Sequence, residues 1–199
     1  MVGGFLSYST AAADSDWKTD FEAAKKEAAK DDKDLLVNFT GSDWCHFCRE
    51  LKRDVFDHPS FAAGTEKGFL LVEIDFPRSK PPGETLKTQN ESLRSDFGIE
   101  GFPTLFLADA KGRPFGQIPN QPGISADQFV AQMESYRDLR KKRDKHFADA
   151  SKESGLKRAK ALDQGLKVLS DEIVTRFYGA TVDEIISLDE KDELKRKSC

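Results

Sequence analysis

The stretch Trp44-Cys45-His46-Phe47-Cys48 places two cysteines in a C-x-x-C motif directly after a tryptophan. It follows a strand-like apolar run and opens a helical pattern. Two thiols with this spacing at the start of a helix can close a disulfide with each other. The first thiol also lies where unpaired backbone N–H groups and the positive end of the helix dipole stabilise a thiolate. The motif therefore predicts thiol–disulfide exchange, with Cys45 as the exposed nucleophile and Cys48, one turn further in, as the resolving thiol.

Other uses of a C-x-x-C motif fit this chain less well. Covalent haem attachment needs a histidine directly after the second cysteine, but Arg49 follows Cys48. A structural zinc site needs about four ligands. Besides the two cysteines of the motif, the candidates are His46, His58, His146 and Cys199, with no second pair at ligand spacing. We therefore expect no metal and no organic cofactor; copper delivery through Cys45, Cys48 and His46 stays open as an alternative.

A second feature lies far downstream. A Gly-Phe-Pro-Thr corner at 101–104 precedes an apolar strand, and a turn follows that strand at 109–112. The corner resembles the cis-proline loop of the thioredoxin superfamily, whose members also carry a C-x-x-C motif near a β-α pattern. In that family the loop lies against the C-x-x-C motif, and the residue before the proline pairs with the substrate backbone. The resemblance extends over about residues 17–125. It implies an α/β protein with a thioredoxin fold, in which helices flank a central mixed sheet.

Two further segments narrow the resemblance. The segments T-G-S-D-W-C at 40–45 and D-V-F-D-H-P at 54–59 are similar to bacterial secreted thioredoxin-like proteins, and to the soluble domain of the membrane reductase that feeds electrons to the periplasm. This implies protein disulfides as substrates and an upstream thiol protein as redox partner. Three alanines before Asp14 also resemble a signal-peptidase site. We therefore predict a periplasmic or secreted protein, with a cytoplasmic protein as the alternative.

The resemblance also implies a substrate-binding rim around the two sulfurs. Trp44 and Phe102 match family positions that border the active site, and Pro103 is the proline of the loop. We expect Phe47, inside the motif, to complete an apolar rim. Such a rim would suit an unfolded or locally exposed polypeptide segment.

Two polar positions near the motif have open interpretations. His46 is predicted to be catalytic, as a cation that stabilises the Cys45 thiolate and makes the Cys45–Cys48 redox couple more oxidising. The alternative is that its ring only faces solvent. The buried acid that thioredoxins carry on the strand entering the active site corresponds to Asn38 here. An asparagine can position water but cannot take a proton. Water or another group would then accept the proton of the resolving thiol, and Glu50 is the nearest alternative in sequence.

Apolar periodicity and turn residues predict the remaining elements of this half. A helix capped at Thr19 precedes a strand at 35–39. Phe47, Leu51 and Val55 recur at i, i+4 and i+8, which predicts one apolar face of the active-site helix packed on the sheet. The elements predicted further along are a central strand at 69–76, a short helix capped by Asn90, a strand at 104–108 and a hairpin into 115–118.

From Ser125 the pattern changes to continuous helix. Ser125 and Gln128 form a capping pair, and the basic cluster at 140–143 is expected to be a solvated face. After Gly155, apolar residues at steps of three and four predict two more helices. The predicted organisation is a leader or signal remnant at 1–16, a thioredoxin-like domain at 17–149 and a C-terminal helical hairpin at 150–199. A protein partner for the hairpin is one interpretation, and ordinary amphipathic packing explains the same pattern.

The composition of the chain limits its partners. With 199 residues, 38% hydrophobic and 33% charged, it is typical of a soluble globular protein. No apolar run approaches the ~20 residues of a membrane span. The net charge of −4 is too small to indicate nucleic acid as a partner. The predicted function is a thiol–disulfide oxidoreductase acting on protein substrates. The rival is a non-catalytic scaffold that presents the helical hairpin, for which neither thiol of the motif would be needed.

Overall fold

A four-stranded mixed sheet forms the centre of the computed structural model, which describes residues 17–196. Its strands are β1 (Asp34–Thr40), β2 (Phe69–Asp75), β3 (Thr104–Ala108) and β4 (Pro114–Ile118), in the spatial order β2-β1-β3-β4. β1 pairs parallel with β2 and antiparallel with β3, and β3 pairs antiparallel with β4. All of β1 is buried, because helices cover both faces of the sheet.

The helices surround this sheet in the chain order α1 (Phe21–Asp31), α2 (His46–Leu51), α3 (Pro59–Thr65), α4 (Glu84–Asp96), α5 (Ala126–Ala150), α6 (Gly155–Leu166), α7 (Asp171–Phe177) and α8 (Gly179–Leu188). A π-helical turn, Lys52–Phe56, continues α2. No helix in the described part of the chain combines the length and the apolar character that crossing a bilayer requires. The predicted thioredoxin fold with C-terminal helices is confirmed by this arrangement.

One face of the sheet carries both the active-site helix and α5. Asp34 of β1 accepts hydrogen bonds from Arg137 and Arg140 of α5, at 3.2 and 3.0 Å. Asn38 lies four residues after Asp34 and therefore projects to the same face. Phe56, in the turn that continues α2, contacts an aromatic ring of α5 with 5.9 Å between the ring centroids. Asn38 consequently lies beneath the helix that begins at the C-x-x-C motif.

Two predictions about β2 and α4 are wrong. The strand predicted to be central, β2, lies at an edge of the sheet, flanked by an isolated bridge between Lys18 and Val72. Its apolar character comes from burial on both faces, which an edge strand under helices also has. Asn90 is not a cap: α4 begins at Glu84, and Asn90 is buried within the helix. Its amide donates to the carbonyl of Asp75 at 2.9 Å, which ties α4 to the end of β2.

Two details of the N-terminal half also differ from prediction. The first helix is capped by Asp20 instead of Thr19, because the Asp20 carboxylate accepts the Ala23 N–H at 2.9 Å. The predicted apolar face of α2 holds for Leu51, which is buried, but not for Phe47, whose exposed fraction is 55%. Phe47 lies on the first turn of α2, beside the loop 120–124, so it is not part of the face packed on the sheet.

The basic cluster of α5 is not the solvated face that its sequence predicts. Arg143 is fully buried, and its guanidinium donates to Asp109 at 2.7 Å and to Asp144 at 2.6 Å. Arg140 is half-buried and bridges Asp144 and the buried Asp34 at 3.0 Å each. The two guanidinium groups thus help to neutralise the buried carboxylates of Asp34 and Asp109, which Arg137 and Arg113 also bind. The predicted capping pair at the start of α5 is confirmed as a complete capping box.

The C-terminal segment contains three helices instead of the two of a hairpin. The predicted long helix stops at Leu166, and Ser170 caps a separate helix, α7. Phe177 contacts the ring of Phe97, which directly follows α4, and the ring of Phe106 in β3, at 5.5 and 5.6 Å between centroids, on the sheet face opposite α5. Tyr178 is buried, and its hydroxyl donates to the carbonyl of Pro114 at 3.0 Å. The predicted domain boundary between residues 149 and 150 falls at the end of α5 and stays a prediction. The predicted leader, 1–16, lies outside the described residues.

Candidate active site

Cys45 and Cys48 form a disulfide at the N-terminus of α2, with 5.3 Å between their Cα atoms. Cys45 is the N-cap residue, and its Sγ accepts a hydrogen bond from the Cys48 backbone N–H at 3.2 Å. The first sulfur therefore lies against the unpaired N–H groups of the first turn. In this disulfide form the exposed fraction of Cys45 is 6% and that of Cys48 is 5%, so the expected difference in exposure is absent.

The turn before the motif depends on Gly41. The backbone N–H groups of Trp44 and Cys45 both donate to the Gly41 carbonyl, at 3.2 and 2.8 Å. A Cβ atom at position 41 would lie 2.5 Å from the indole ring of Trp44. Glycine thus allows the ring to fold back over the turn, which directs Cys45 into the helix start.

Trp44 is the centre of an aromatic rim beside the disulfide. Its ring packs edge to face on Phe102 with 5.7 Å between centroids, and Phe102 packs on Phe76 at 5.2 Å. The indole N–H donates to the Phe76 carbonyl at 2.8 Å. The Phe102–Pro103 peptide bond is cis, and Pro103 is buried. Sequence reasoning missed Phe76, although its position at the end of an apolar strand is a usable signal.

The predicted rim is only partly assembled. Pro103 directly precedes Thr104, the first residue of β3. Thr104 pairs with Phe39 near the C-terminal end of β1, where the loop to the C-x-x-C motif begins. The cis-proline corner and the motif therefore share one end of the sheet. Phe47 does not join Trp44 and Phe102. It projects beside the loop 120–124, on the other flank of α2.

A carboxylate clamp joins the motif to the loop after β2. Asp43 accepts hydrogen bonds from the backbone N–H of Arg78 at 3.0 Å and of Ser79 at 2.6 Å, and from the Ser79 hydroxyl. The Ser79 hydroxyl, followed by the two backbone N–H groups, lowers the pKa of Asp43 to about 2. The clamp positions Arg78 so that its guanidinium lies 4.0 Å from the centre of the Trp44 ring. Neither Asp43 nor Arg78 was identified from the sequence, since their pairing spans 35 residues.

His46 is turned towards solvent and towards the next helical turn. Its side chain is 70% exposed, and its Nε2 lies 3.3 Å from a carboxylate oxygen of Glu50. The two residues are four apart on α2, the spacing at which helical side chains meet. Glu50 is thereby engaged with His46 on the outer surface. In the part of the chain that the structure describes, no three side chains of His, Cys, Asp or Glu are grouped as metal ligands.

Beneath α2, an asparagine lies beside an acidic group. Asn38 is 4% exposed, and its amide oxygen accepts no hydrogen bond within residues 17–196. Glu73 of β2 is directly opposite Asn38 in the parallel register, so both side chains project to the α2 face. Burial, together with the charge of Asp75, raises the pKa of the Glu73 carboxyl, and Lys52 only partly offsets this. The sequence signal for Glu73 is an acid that interrupts an apolar strand.

Replacing Glu73 with Gln should stabilise the protein at neutral pH. Because the pKa of Glu73 is raised on folding, its protonated form favours the folded state and its ionisation opposes it. The free energy of unfolding of the wild type should therefore fall as pH rises from about 4.5 through the folded-state pKa of Glu73. The Glu73→Gln variant has no ionisable group at this position and should not show this fall. Urea unfolding of both proteins between pH 4 and 8 would measure the difference. The exposed Glu66→Gln variant is the control, and equal gains from both changes would contradict the prediction.

Comparisons with known proteins agree with the geometry. The family model described as a thioredoxin-like domain matches residues 21–137. The disulfide bond reductase DsbH of Chlamydia pneumoniae is 30% identical over 130 residues, which cover 65% of this chain and 77% of that protein. The thioredoxin-related protein DsbJ of the same organism is 30% identical over 110 residues, covering 54% of this chain and 32% of its own. The solved structure of a DsbH oxidoreductase superimposes with a TM-score of 0.60 at 28% identity, over 69% of this chain and 96% of that one. The chain belongs to the thioredoxin-like family.

Proposed function

We propose that this chain exchanges disulfides with protein substrates through Cys45 and Cys48. It is a thiol–disulfide oxidoreductase, and the two sulfurs themselves carry the electrons. The observation that carries this proposal is the N-cap position of Cys45, whose Sγ accepts the Cys48 N–H at 3.2 Å. The same N–H and the helix dipole stabilise a negative charge on that sulfur when the disulfide is reduced.

The exchange proceeds in two displacements. The Cys45 thiolate attacks one sulfur of a substrate disulfide, a new S–S bond forms, and the other substrate sulfur leaves as a thiolate. Cys48 then loses its proton and attacks the Cys45 sulfur. The mixed disulfide breaks, the second substrate sulfur leaves, and the Cys45–Cys48 disulfide closes. The substrate gains two electrons and the protein loses two, which an upstream thiol protein must return.

Glu73 is the proton acceptor that we propose for Cys48. Asn38 cannot take a proton, and Glu50 is on the outer surface with His46. Glu73 projects to the face beneath α2, and its raised pKa brings it nearer to the operating pH, as general base catalysis requires. Glu73→Gln should therefore slow the resolution of a preformed mixed disulfide and remove its rise with pH. Unchanged resolution kinetics, in a folded variant, would exclude Glu73 from this step.

The proposed function is tested by electron transfer to a protein disulfide. When the reduced protein is mixed with insulin, each molecule of the protein should lose two thiols, and the insulin chains should separate as their disulfides are reduced. The Cys45→Ala variant should transfer none, because the remaining thiol lacks the N-cap position. Thiol titration and insulin turbidity measure the two sides of the reaction. Equal transfer by Cys45→Ala would contradict the proposal.

We propose the aromatic pair Trp44 and Phe102, with Pro103, as the surface that holds the substrate segment during exchange. Their support is the packed rim beside the disulfide. Phe47, which is 55% exposed one residue before Cys48, offers a second apolar contact on the opposite flank. Aromatic side chains with free surface beside a reactive group suit an apolar polypeptide segment. Leucine substitutions at these positions should raise KM for insulin more than they lower kcat.

We propose that His46 raises the reduction potential of the Cys45–Cys48 couple. If the imidazolium stabilises the reduced form, His46→Gly should lower the reduction potential by about 30 mV for each 1.4 kcal/mol of stabilisation lost. Equilibration with glutathione redox buffers measures this potential. The matched control is His58→Gly, since His58 caps α3 away from the motif. An unchanged potential would leave His46 as an exposed partner of Glu50.

We propose that the protein is exported. Three alanines before Asp14, outside the described residues, and the disulfide-handling relatives support this. The mature protein from the cell envelope should then begin near Asp14, whereas recovery only from cytosol with Met1 retained would contradict export. Phe177 packs half-buried on ring contacts of the sheet face and Tyr178 is buried, so packing explains these two residues at the end of α7 without a partner.

A further inference from the structure

A groove of about 410 Å³ is lined by Trp44, the residue that directly precedes Cys45. Its walls are the rings of Trp44, Phe76 and Phe102, the prolines of the loop after β2, and the outer side of α4. The groove also contains an excess of positive charge. Its basic residues are Arg78, Lys87 and Arg94, and its acidic residues are Asp75 and Glu91.

Most of these charges already have partners. The Asp75 carboxylate accepts the Ser42 N–H at 2.9 Å and the Ser42 hydroxyl at 2.6 Å. Lys87 lies 3.3 Å from Glu84, and the guanidinium of Arg94 lies 4.0 Å from Glu91. The guanidinium of Arg78 makes no ion pair with any residue in 17–196, so its charge is available to a ligand.

The position of Arg78 is set by two contacts of its own and by one that holds Trp44. Its backbone N–H is bound to Asp43, and its guanidinium stacks on the Trp44 ring at 4.0 Å. Trp44 is itself held through its indole N–H on the Phe76 carbonyl. Stacking occupies the face of a guanidinium and leaves the N–H groups at its edge free. The Asp43 carboxylate is nearby, but hydrogen bonds from Arg78 and Ser79 occupy its oxygens.

We infer that the groove selects polypeptide substrates with an Asp or Glu close to the reacting cysteine, and that Arg78 binds this carboxylate. A guanidinium edge binds a carboxylate through two parallel N–H···O bonds. The aromatic walls accommodate the neighbouring apolar residues of the same segment. The inference rests on the proposed function and specifies its substrate class. Arg78 acts here as a specificity residue and takes no part in electron transfer.

The test uses two synthetic peptides with the same disulfide that differ only by Glu or Gln two residues from one cysteine. The rate constant for oxidation of the reduced protein is measured with each, and their ratio gives the preference. The wild type should favour the Glu peptide by up to about fivefold, the scale of an exposed ion pair. Raising the salt concentration should shrink the ratio. Arg78→Gln should abolish the preference, and Arg78→Glu should reverse it.

Lys80→Glu is the matched control, because Lys80 is on the same loop, is exposed, and does not line the groove. It makes the same change in net charge as Arg78→Glu and should retain most of the wild-type ratio. A wild-type ratio near one would overturn the inference while leaving the proposed function intact. An equal loss of preference in Lys80→Glu would also overturn it, since net charge alone would then explain the effect. A wild type that reduces neither peptide would contradict the proposed function itself.

Discussion

Replacing Cys48 with Ala should convert the protein into a covalent trap for its substrates. Cys45 can still attack a substrate disulfide, but release from the mixed disulfide needs the second thiol. Complexes that disappear on reduction should accumulate, and electrophoresis without reductant followed by mass spectrometry would identify the proteins in them. The wild type should accumulate few, because its second thiol closes the disulfide seen here.

The Cys45→Ala variant is the matched control. It retains one thiol but removes the sulfur that accepts the helix N–H, and it should trap few substrates. Equal trapping by both variants would contradict the assigned roles. Absence of trapping in both, combined with non-covalent binding of a partner to the C-terminal helices of the full chain, would favour the scaffold alternative over the enzyme.

Replacing Arg143 with Met should destabilise the protein by up to about 3 kcal/mol, because it removes one partner of a buried ion pair while Arg113 keeps the Asp109 carboxylate partly paired. Arg143 is fully buried and binds Asp109 of the β3–β4 turn, Asp144 of its own helix and the hydroxyl of Tyr178. The change therefore affects both the sheet and the C-terminal helices. Urea unfolding would measure it as a lower midpoint with an unchanged slope.

Lys142→Met provides the control for this prediction, because Lys142 is adjacent, equally charged and exposed. It should change stability by less than about 0.5 kcal/mol. Adding Asp109→Asn to Arg143→Met should recover part of the loss, since Arg113 alone then has no buried carboxylate charge to offset. Similar losses from Lys142→Met and Arg143→Met would contradict the buried network.

The same network should make the protein sensitive to acid. Burial alone would raise the pKa of Asp109, but Arg143 and Arg113 outweigh it and hold that pKa below its ordinary value of 3.8. The stability from this carboxylate is therefore present above about pH 4 and is lost as pH falls through the folded-state pKa. Arg143→Met should show less of this acid loss than the wild type.

Local patterns predicted much of the framework. The strand at 104–108 and the hairpin after it coincide with β3 and β4, because an apolar run and the turn that follows it are features of contiguous residues. The capping box of α5 likewise involves residues three apart. Asn90 was misjudged because its amide binds the Asp75 carbonyl on another element. The long first helix of the predicted hairpin was misjudged because the local cap at Ser170 was missed.

By itself, the sequence determined the chemistry of the site: a C-x-x-C pair between a strand and a helix has few uses, and its spacing brings the two sulfurs together on one helical turn. Tertiary structure decided which charged groups surround that pair and which are buried. Arg143 looks like its exposed neighbours in sequence, and its burial depends on partners distant in the chain, Asp109 at 34 residues and Tyr178 at 35 residues. The roles proposed for Glu73 and Arg78 likewise depend on Asn38, opposite Glu73 in the sheet, and on Trp44, which stacks on Arg78. The physical reason is that the free energy of a charge depends on its solvation and its partners, and both are set by residues distant in the chain.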